Sequence, residues 1–510
     1  MIISLSVLVI TIIVSGTYAL YKAQLSKNIG VNTTTHGLAY YINYVKGTDI
    51  TAATLNPSTS YEGGASSDIE FWKKDDSYDI YGKIELTVNT IGTNLSNSPA
   101  LKYAVVNNGN VLKEGSLKGT TSGSKVTILK NLYLEQTKQI YTVYVWLDNS
   151  EELGNISNES LSISVDCTAS LQKEPTAADT IISLYTSAAK VTATNNSITY
   201  NTAPSVSLMN DRLGGTTTDL DGGNIRYYGA NPNNYIYFNC SDYSNQTSST
   251  CETWRIIGVF DGKLKLIKGS QIGTYSWDNK NISTGAEDDR GKNDWTTARL
   301  MKLLNPDGYY INDNNDKDSE GNYLGYSLYY NSASGMCFTD EGVNYSACDF
   351  TSTGIKNDET RNMIAETTYN LGGWNDTGVY PNEIYEYERG TTVYTGRPTT
   401  WTGKIALAYP SDYGYAADLN QCKQTLANYD NSTCTSNNWM KAIITDNGSN
   451  HGWLLTPDSS YSYGAWYSHG NVGEYFTGAA RGAVPVLSLS SKLGIESGDG
   501  SSSNPYKLSA

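Results

Sequence analysis

Lys83-Ile84-Glu85-Leu86-Thr87-Val88 alternates polar and apolar side chains one for one, the period of a strand with one face on a core and the other in water. Val143, Val145 and Leu147 repeat the pattern, and so do Leu161, Ile163, Val165 and Cys167. Between the runs 103–106 and 111–112 stands Asn108-Gly109, two residues that accept positive φ and so favour a type I′ hairpin. Short strands joined by polar turns predict an antiparallel β-sandwich over residues 31–170. Cys167, on the apolar face of its strand, reads as a small core residue rather than an intermolecular bridge.

Downstream the pattern changes. Thr176 and Asp179 form a capping box ahead of Ile181, Ile182, Leu184, Tyr185 and Ala188, which predicts a helix of about four turns. The Ser-, Thr- and Asn-rich stretch after it reads as linker, so residues 171–213 are expected to be a helical connector. From residue 214 onward, the runs 254–259 and 264–267 flank Asp261-Gly262, a second tight hairpin. Asp294 is placed to cap a helix carrying Ala298, Leu300, Leu303 and Leu304, which Pro306 stops. Further strand runs at 401–409, 453–457 and 482–489 are separated by long loops rich in Gly and Tyr. The fold class expected is mainly β with α+β character, residues 214–510 forming one irregular α+β domain.

Six of the seven cysteines fall in close-set couples: Cys240 with Cys251, Cys337 with Cys348, and Cys422 with Cys434. Each couple closes a loop of roughly a dozen residues, which suits local disulfides made outside a reducing cytosol. Residues 2–20 carry no charge and are strongly apolar. The segment 1–25 is read as a secretory signal with Thr17 and Ala19 at a T-x-A cleavage site, or as a retained membrane anchor. An exported, extracellular or cell-surface protein follows from either reading. The net charge of −15 excludes nonspecific binding to nucleic acid.

The N-terminal run ending Ser15-Gly16-Thr17-Tyr18-Ala19, with the strands at 84–88 and 141–148, resembles the TasA/camelysin-type secreted proteins of Bacillota. That resemblance implies self-assembly into fibres, with the residues after Ala19 as a donor strand. Asn224-Ile225-Arg226-Tyr227-Tyr228-Gly229-Ala230-Asn231-Pro232, Trp254-Arg255-Ile256-Ile257-Gly258-Val259 and Tyr409-Pro410-Ser411-Asp412-Tyr413-Gly414-Tyr415 are similar to motifs of exported surface proteins from gut Bacillota. The ending, with Trp453, Leu455, Pro457 and Pro485-Val486-Leu487, resembles C-type-lectin and formylglycine-generating-enzyme-like folds. Many such endings carry Arg-Pro where this chain has Val484-Pro485, a departure that weakens any active site the resemblance would imply.

Catalytic signatures are sparse. Three histidines without an HExxH motif exclude a multi-histidine zinc site, and the cysteines lack CxxC spacing. An oxidase of the formylglycine type needs reactive cysteines, whereas these have local partners. Glu383, Glu386 and Glu388 are the nearest approach to a glycosidase pair, but alternation in Tyr385-Glu386-Tyr387-Glu388 puts the last two on one face of a strand. No enzyme activity and no cofactor are expected. Calcium is the one ion weighed: Asp316, Asp318 and Glu320 precede Gly321 as in a calcium loop, but Ser327 occupies the twelfth position where a Glu belongs. A solvated acidic loop is the alternative. Trp374-Asn375-Asp376 spells a lectin calcium motif but lacks its companion triplet and reads as coincidence.

The strongest recognition surface is aromatic. Tyr463, Trp466, Tyr467, His469 and Tyr475 crowd a stretch with small spacers, suited to stacking on sugar rings or anchoring a protein partner. The competing reading packs half of these rings into the core. Alternation sets Trp466 and Ser468 opposite Tyr467 and His469. A glycan or protein ligand is therefore expected, with the membrane as a further partner if the first segment is retained.

Overall fold

A computed structural model describes residues 23–25, 41–51, 55–151, 153–156, 159–213, 222–280, 284–286, 288–309, 317, 321, 324–339, 345–445 and 451–509. The first apolar segment and the acidic trio Asp316, Asp318 and Glu320 lie outside the described residues. Two compact units divide the chain, Met1–Glu174 and Pro175–Ala510. Mainly β, with several antiparallel sheets and few helices, the architecture is the mainly-β α+β class that the alternating patterns predict.

The first unit is a sandwich. One sheet orders Ala23–Leu25, Leu161–Ser170, Tyr81–Ile91 and Lys125–Tyr133; the other orders Ile42–Val45, Ala65–Lys73, Ile140–Asp148, Leu101–Asn107 and Asn110–Ser116. Alternation delivers the core directly: Ile84, Leu86 and Val88 from one sheet meet Val143 and Val145 from the other, all buried. Cys167 is 1% exposed on the same inner face. Asn108 at φ 49 and Gly109 at φ 76 turn the hairpin as a type I′ turn requires.

The second unit begins earlier than its sequence suggests. The capping box at Thr176 and Asp179 starts a helix, Ala177–Ser187, whose Ala177, Ala178, Ile181 and Tyr185 are buried in the main core of this unit. The stretch read as linker forms strands Val191–Asn195, Ile198–Ala203 and Leu208–Asn210, the edge of a nine-stranded sheet. Asn196 and Ser197, both at positive φ, supply a two-residue turn between the first two strands. Residues 175–213 are thus part of the second unit and not a connector. The sheet continues through Ile225–Tyr227, Glu252–Phe260, Lys263–Lys268, Val486–Ser488 and Ile405–Ala406, with Asp261-Gly262 turning the central hairpin.

Charge holds this sheet to its neighbours. Arg226 donates through Nε to Asp211 at 2.6 Å and through Nη1 to Asp412 at 2.9 Å, and Lys265 pairs with the other oxygen of Asp412. Arg226 and Asp412 are each 1% exposed. The rings of Phe260, Tyr415 and Tyr385 surround the guanidinium at 4.6, 4.7 and 5.4 Å. Two of the family-like motifs therefore meet in a structural ion network. Close by, Glu388 is fully buried and accepts from the amide and hydroxyl of Ser411 at 2.9 and 2.5 Å.

Glu383, Glu386 and Glu388 stand on a helix, Pro381–Glu388, rather than a strand. Pro381 opens it and Glu383 reaches back to the Tyr380 amide at 2.7 Å, a helix start that outweighs the local alternation. All three cysteine couples are bonded, with Cα separations of 3.9, 5.8 and 4.6 Å in chain order. No helix among the described residues is long and apolar enough to cross a membrane.

Candidate functional site

A second sheet of five strands carries the aromatic stretch. Its order is Thr274–Ser276, Ala480–Gly482, Gly452–Pro457, Gly464–Ser468 and Val472–Phe476. The last two strands form a hairpin whose bend is fixed by Gly470, at φ +117, where a side chain would be strained. Tyr413 clamps the bend by donating to the Gly470 carbonyl at 2.6 Å, and Asn471 donates to the Ala427 carbonyl at 3.0 Å. His469, beside the bend, is consequently held on a rigid mount.

Alternation along Gly464–Ser468 splits the predicted site residues. Trp466 is 0% exposed, packed with Leu454, Ile444 and Val472, its indole donating to the Trp374 carbonyl at 3.1 Å. It belongs to the core and is corrected from the ligand-binding set. Tyr463 lies apart from the other rings, stacked on Tyr461 at 5.6 Å with the Arg290 guanidinium 3.8 Å over it. Tyr467, His469 and Tyr475 do converge. Tyr467 stacks near-parallel with His469 at 5.4 Å and meets Tyr475 edge-on at 6.3 Å.

Two residues complete this face that sequence reading did not single out. His451 lies 5.2 Å from His469 and 5.6 Å from Tyr467. Arg481 comes from the strand Ala480–Gly482, with its guanidinium 3.9 Å over Tyr467, 4.4 Å over Tyr475 and 5.5 Å from the buried Trp453. Ala480, Gly482 and Ala483 around it are small. A lone Arg among small residues in a strand was the one signal available, and only the tertiary fold shows that aromatic rings face it.

Arg481 is 8% exposed, and its Nε is buried with no hydrogen-bond acceptor. Among the described residues no carboxylate pairs with it. Burial holds its guanidinium below the usual arginine range, which the two tyrosines oppose. His469 is pushed below the ordinary imidazole value by burial first, then by His451 and Arg481, against the opposing charge of Asp430. The face is thus cationic and aromatic, with imidazole donors at its rim and Tyr475 open to solvent at 43% exposure.

No protein-family model matches the chain, and no curated protein does. Among solved structures, an acetyl xylan esterase from the rumen bacterium Butyrivibrio proteoclasticus is similar over 31% of this chain, at 12% identity and a TM-score of 0.15. The chain spans about a third of that enzyme's length, 34%. The receptor-binding domain of a botulinum neurotoxin mosaic of serotype C/D is similar over 50% of this chain and 74% of its own, at 11% identity and the same TM-score of 0.15. Neither likeness carries an argument about fold or activity.

The opposite face of the hairpin is acidic. Glu474, paired across the strands with Trp466, hydrogen-bonds to Asp458 and feels the charge of Asp376. Burial first, then Asp458, pushes the Glu474 carboxyl up to about 8. Asp458 also accepts from the amides of Ser460 and Tyr461, at 2.5 and 3.0 Å. The Glu474 carboxyl is thus favoured in its protonated form beside Asp458. Trp374, from the WND stretch, stacks flat on Tyr387 at 3.7 Å, and Asn375 donates to Ser460 at 2.7 Å. Among the described residues no group of His, Cys, Asp and Glu is arranged to hold a metal ion.

Proposed function

We propose that the protein is an exported cell-surface binding protein, adhesin-like or lectin-like, that holds a glycan or protein ligand on the outer face of the hairpin Gly464–Ser468 and Val472–Phe476. Its second unit is taken as a disulfide-stapled domain of the C-type-lectin-like kind. The observation that carries the reading is Arg481: a buried guanidinium held under two tyrosine rings, with no carboxylate among the described residues to neutralise it. Burying a guanidinium nitrogen without an acceptor costs the fold, and a ligand carboxylate would offset that cost. The three disulfides support work in an oxidising compartment. Binding of the purified chain to a glycan and matrix-protein array, with calcium and with chelator, tests it. Saturable binding that Tyr475→Ala abolishes is expected, and calcium dependence would bring the loop at Asp316, Asp318 and Glu320 into the site. Failure to bind anything would remove the reading.

A second reading, a fibre subunit, draws on one strand. Ala23–Leu25 pairs antiparallel with the strand Leu161–Ser170 through only three residues, Ala23 with Ala169 to Leu25 with Cys167. A strand so short, supplied by the N-terminal segment, is one that a second copy could replace. Concentration-dependent filaments under the electron microscope would favour it, and a monomer at high concentration would count against it.

A further inference from the structure

Resting on the reading of this face as a ligand platform, we propose that it recognises a sugar residue bearing a single carboxylate, with Arg481 as the anion anchor.

The argument starts from an unmet need. Of the charged side chains buried in the second unit, Arg226, Lys265 and Lys268 each have a carboxylate within ion-pair distance, and Arg255 has neutral acceptors instead, the Asn234 side chain and the Pro232 carbonyl. Arg481, 8% exposed, has neither a carboxylate nor an acceptor for its Nε among the described residues. Tyrosine faces at 3.9 and 4.4 Å recover part of the desolvation cost, but a ring gives the Nε proton no acceptor. A carboxylate fits a guanidinium in two parallel hydrogen bonds and would supply what the protein leaves out.

The surroundings select the rest of the ligand. Tyr475 offers an exposed ring for the apolar side of a pyranose, and the imidazoles of His451 and His469 stand 5.2 Å apart beside Tyr467. One guanidinium in a chain of net charge −15 does not hold a polyanion, because each further ligand charge meets a repelling surface. A sulfated polymer or a polyacidic peptide is therefore disfavoured, whereas a sugar with one carboxylate brings a single charge together with a ring and hydroxyls.

The test uses four probes on the full chain: an oligosaccharide ending in a hexuronic acid, its methyl ester, its neutral hexose counterpart, and an acidic peptide. The acid is expected to bind roughly 10- to 100-fold more tightly than its ester, the range of one charge-assisted contact. Arg481→Gln should bring the acid down to the level of the ester, and Arg481→Lys should retain part of the difference. The ester comparison needs no variant, so it stands even where a substitution impairs folding. Equal binding of acid and ester would overturn the carboxylate while leaving the face a binding surface. Binding of the peptide with no sugar bound would overturn the sugar class. Silence from all four would overturn this inference, while the proposed function falls only if the glycan and matrix-protein array is silent as well.

Discussion

Two of the four buried arginines of the second unit, Arg226 and Arg481, both lie under aromatic rings, but their charges are treated oppositely. Arg226 has carboxylates on two sides, Asp211 and Asp412, leaving only Nη2 without an acceptor. Arg481 has rings and, among the described residues, no carboxylate. A paired buried charge fixes strands to one another, because removing one partner strands the other. An unpaired one makes no such tie. Arg255, buried under Tyr235 and Trp439, shows that lacking a carboxylate is not the whole difference: it donates to the Asn234 side chain and the Pro232 carbonyl, whereas the Nε of Arg481 has no acceptor among the described residues.

The comparison breaks most visibly at Asp412. Asp412→Ala leaves Arg226 with one carboxylate and Lys265 with none, and about 3–5 kcal/mol of stability should be lost, the range for orphaning a buried charge. A denaturant melt followed by circular dichroism measures it; a loss below about 1 kcal/mol would mean that water reaches the network. The two sides of the hairpin make the next test. Trp466→Ala should cost about 3–5 kcal/mol as a fully buried ring is deleted, whereas Tyr475→Ala, on the open face, should cost less than about 1 kcal/mol and remove binding. Equal costs would place the two rings in the same environment. Arg481→Met is smaller still and differs in sign: exchanging an unpaired buried cation for an apolar chain should leave stability unchanged or raise it by about 1 kcal/mol. A large loss would show that the cation–ring contacts hold the fold.

Much of this frame was legible from local chemistry. Asn108-Gly109 and Asp261-Gly262 announced their hairpins because positive φ is a property of those residues. The alternation of Trp466, Tyr467, Ser468 and His469 set the two pairs on opposite faces, since strand geometry allows two faces only, but it did not tell which face is buried, and Trp466 was placed with the ligand set. Illegible were the features that depend on distant chain. Arg481 reaches the tyrosines through the parallel pairing of Ala480–Gly482 with Gly452–Pro457, which no local pattern encodes. The strands after Ser187 were hidden by polar composition, and their turn is Asn-Ser rather than Asn-Gly. In the helix Pro381–Glu388, alternating Tyr and Glu imitate a strand, and the signal at Pro381 and Glu383 had to be weighed above it.

The smallest effect belongs to the acidic side of the hairpin, and pH sets its sign. Glu474 has its carboxyl pushed from 4.5 up to about 8 by burial and by Asp458. Between those values the folded chain holds a proton that the unfolded chain has released, so stability is fully present below about 4.5 and falls as pH rises through about 8. Glu474→Gln is neutral throughout and keeps a donor toward Asp458. The variant should therefore match the parent at pH 4 and melt higher at pH 8.5 by roughly 1–3 °C, a modest figure because Glu474 is partly exposed to screening solvent. Thermal melts of both chains across that range decide it. A difference independent of pH would mean that Glu474 is ionised in the fold, and the contrast between a cationic face and an acidic face that keeps a proton would be lost.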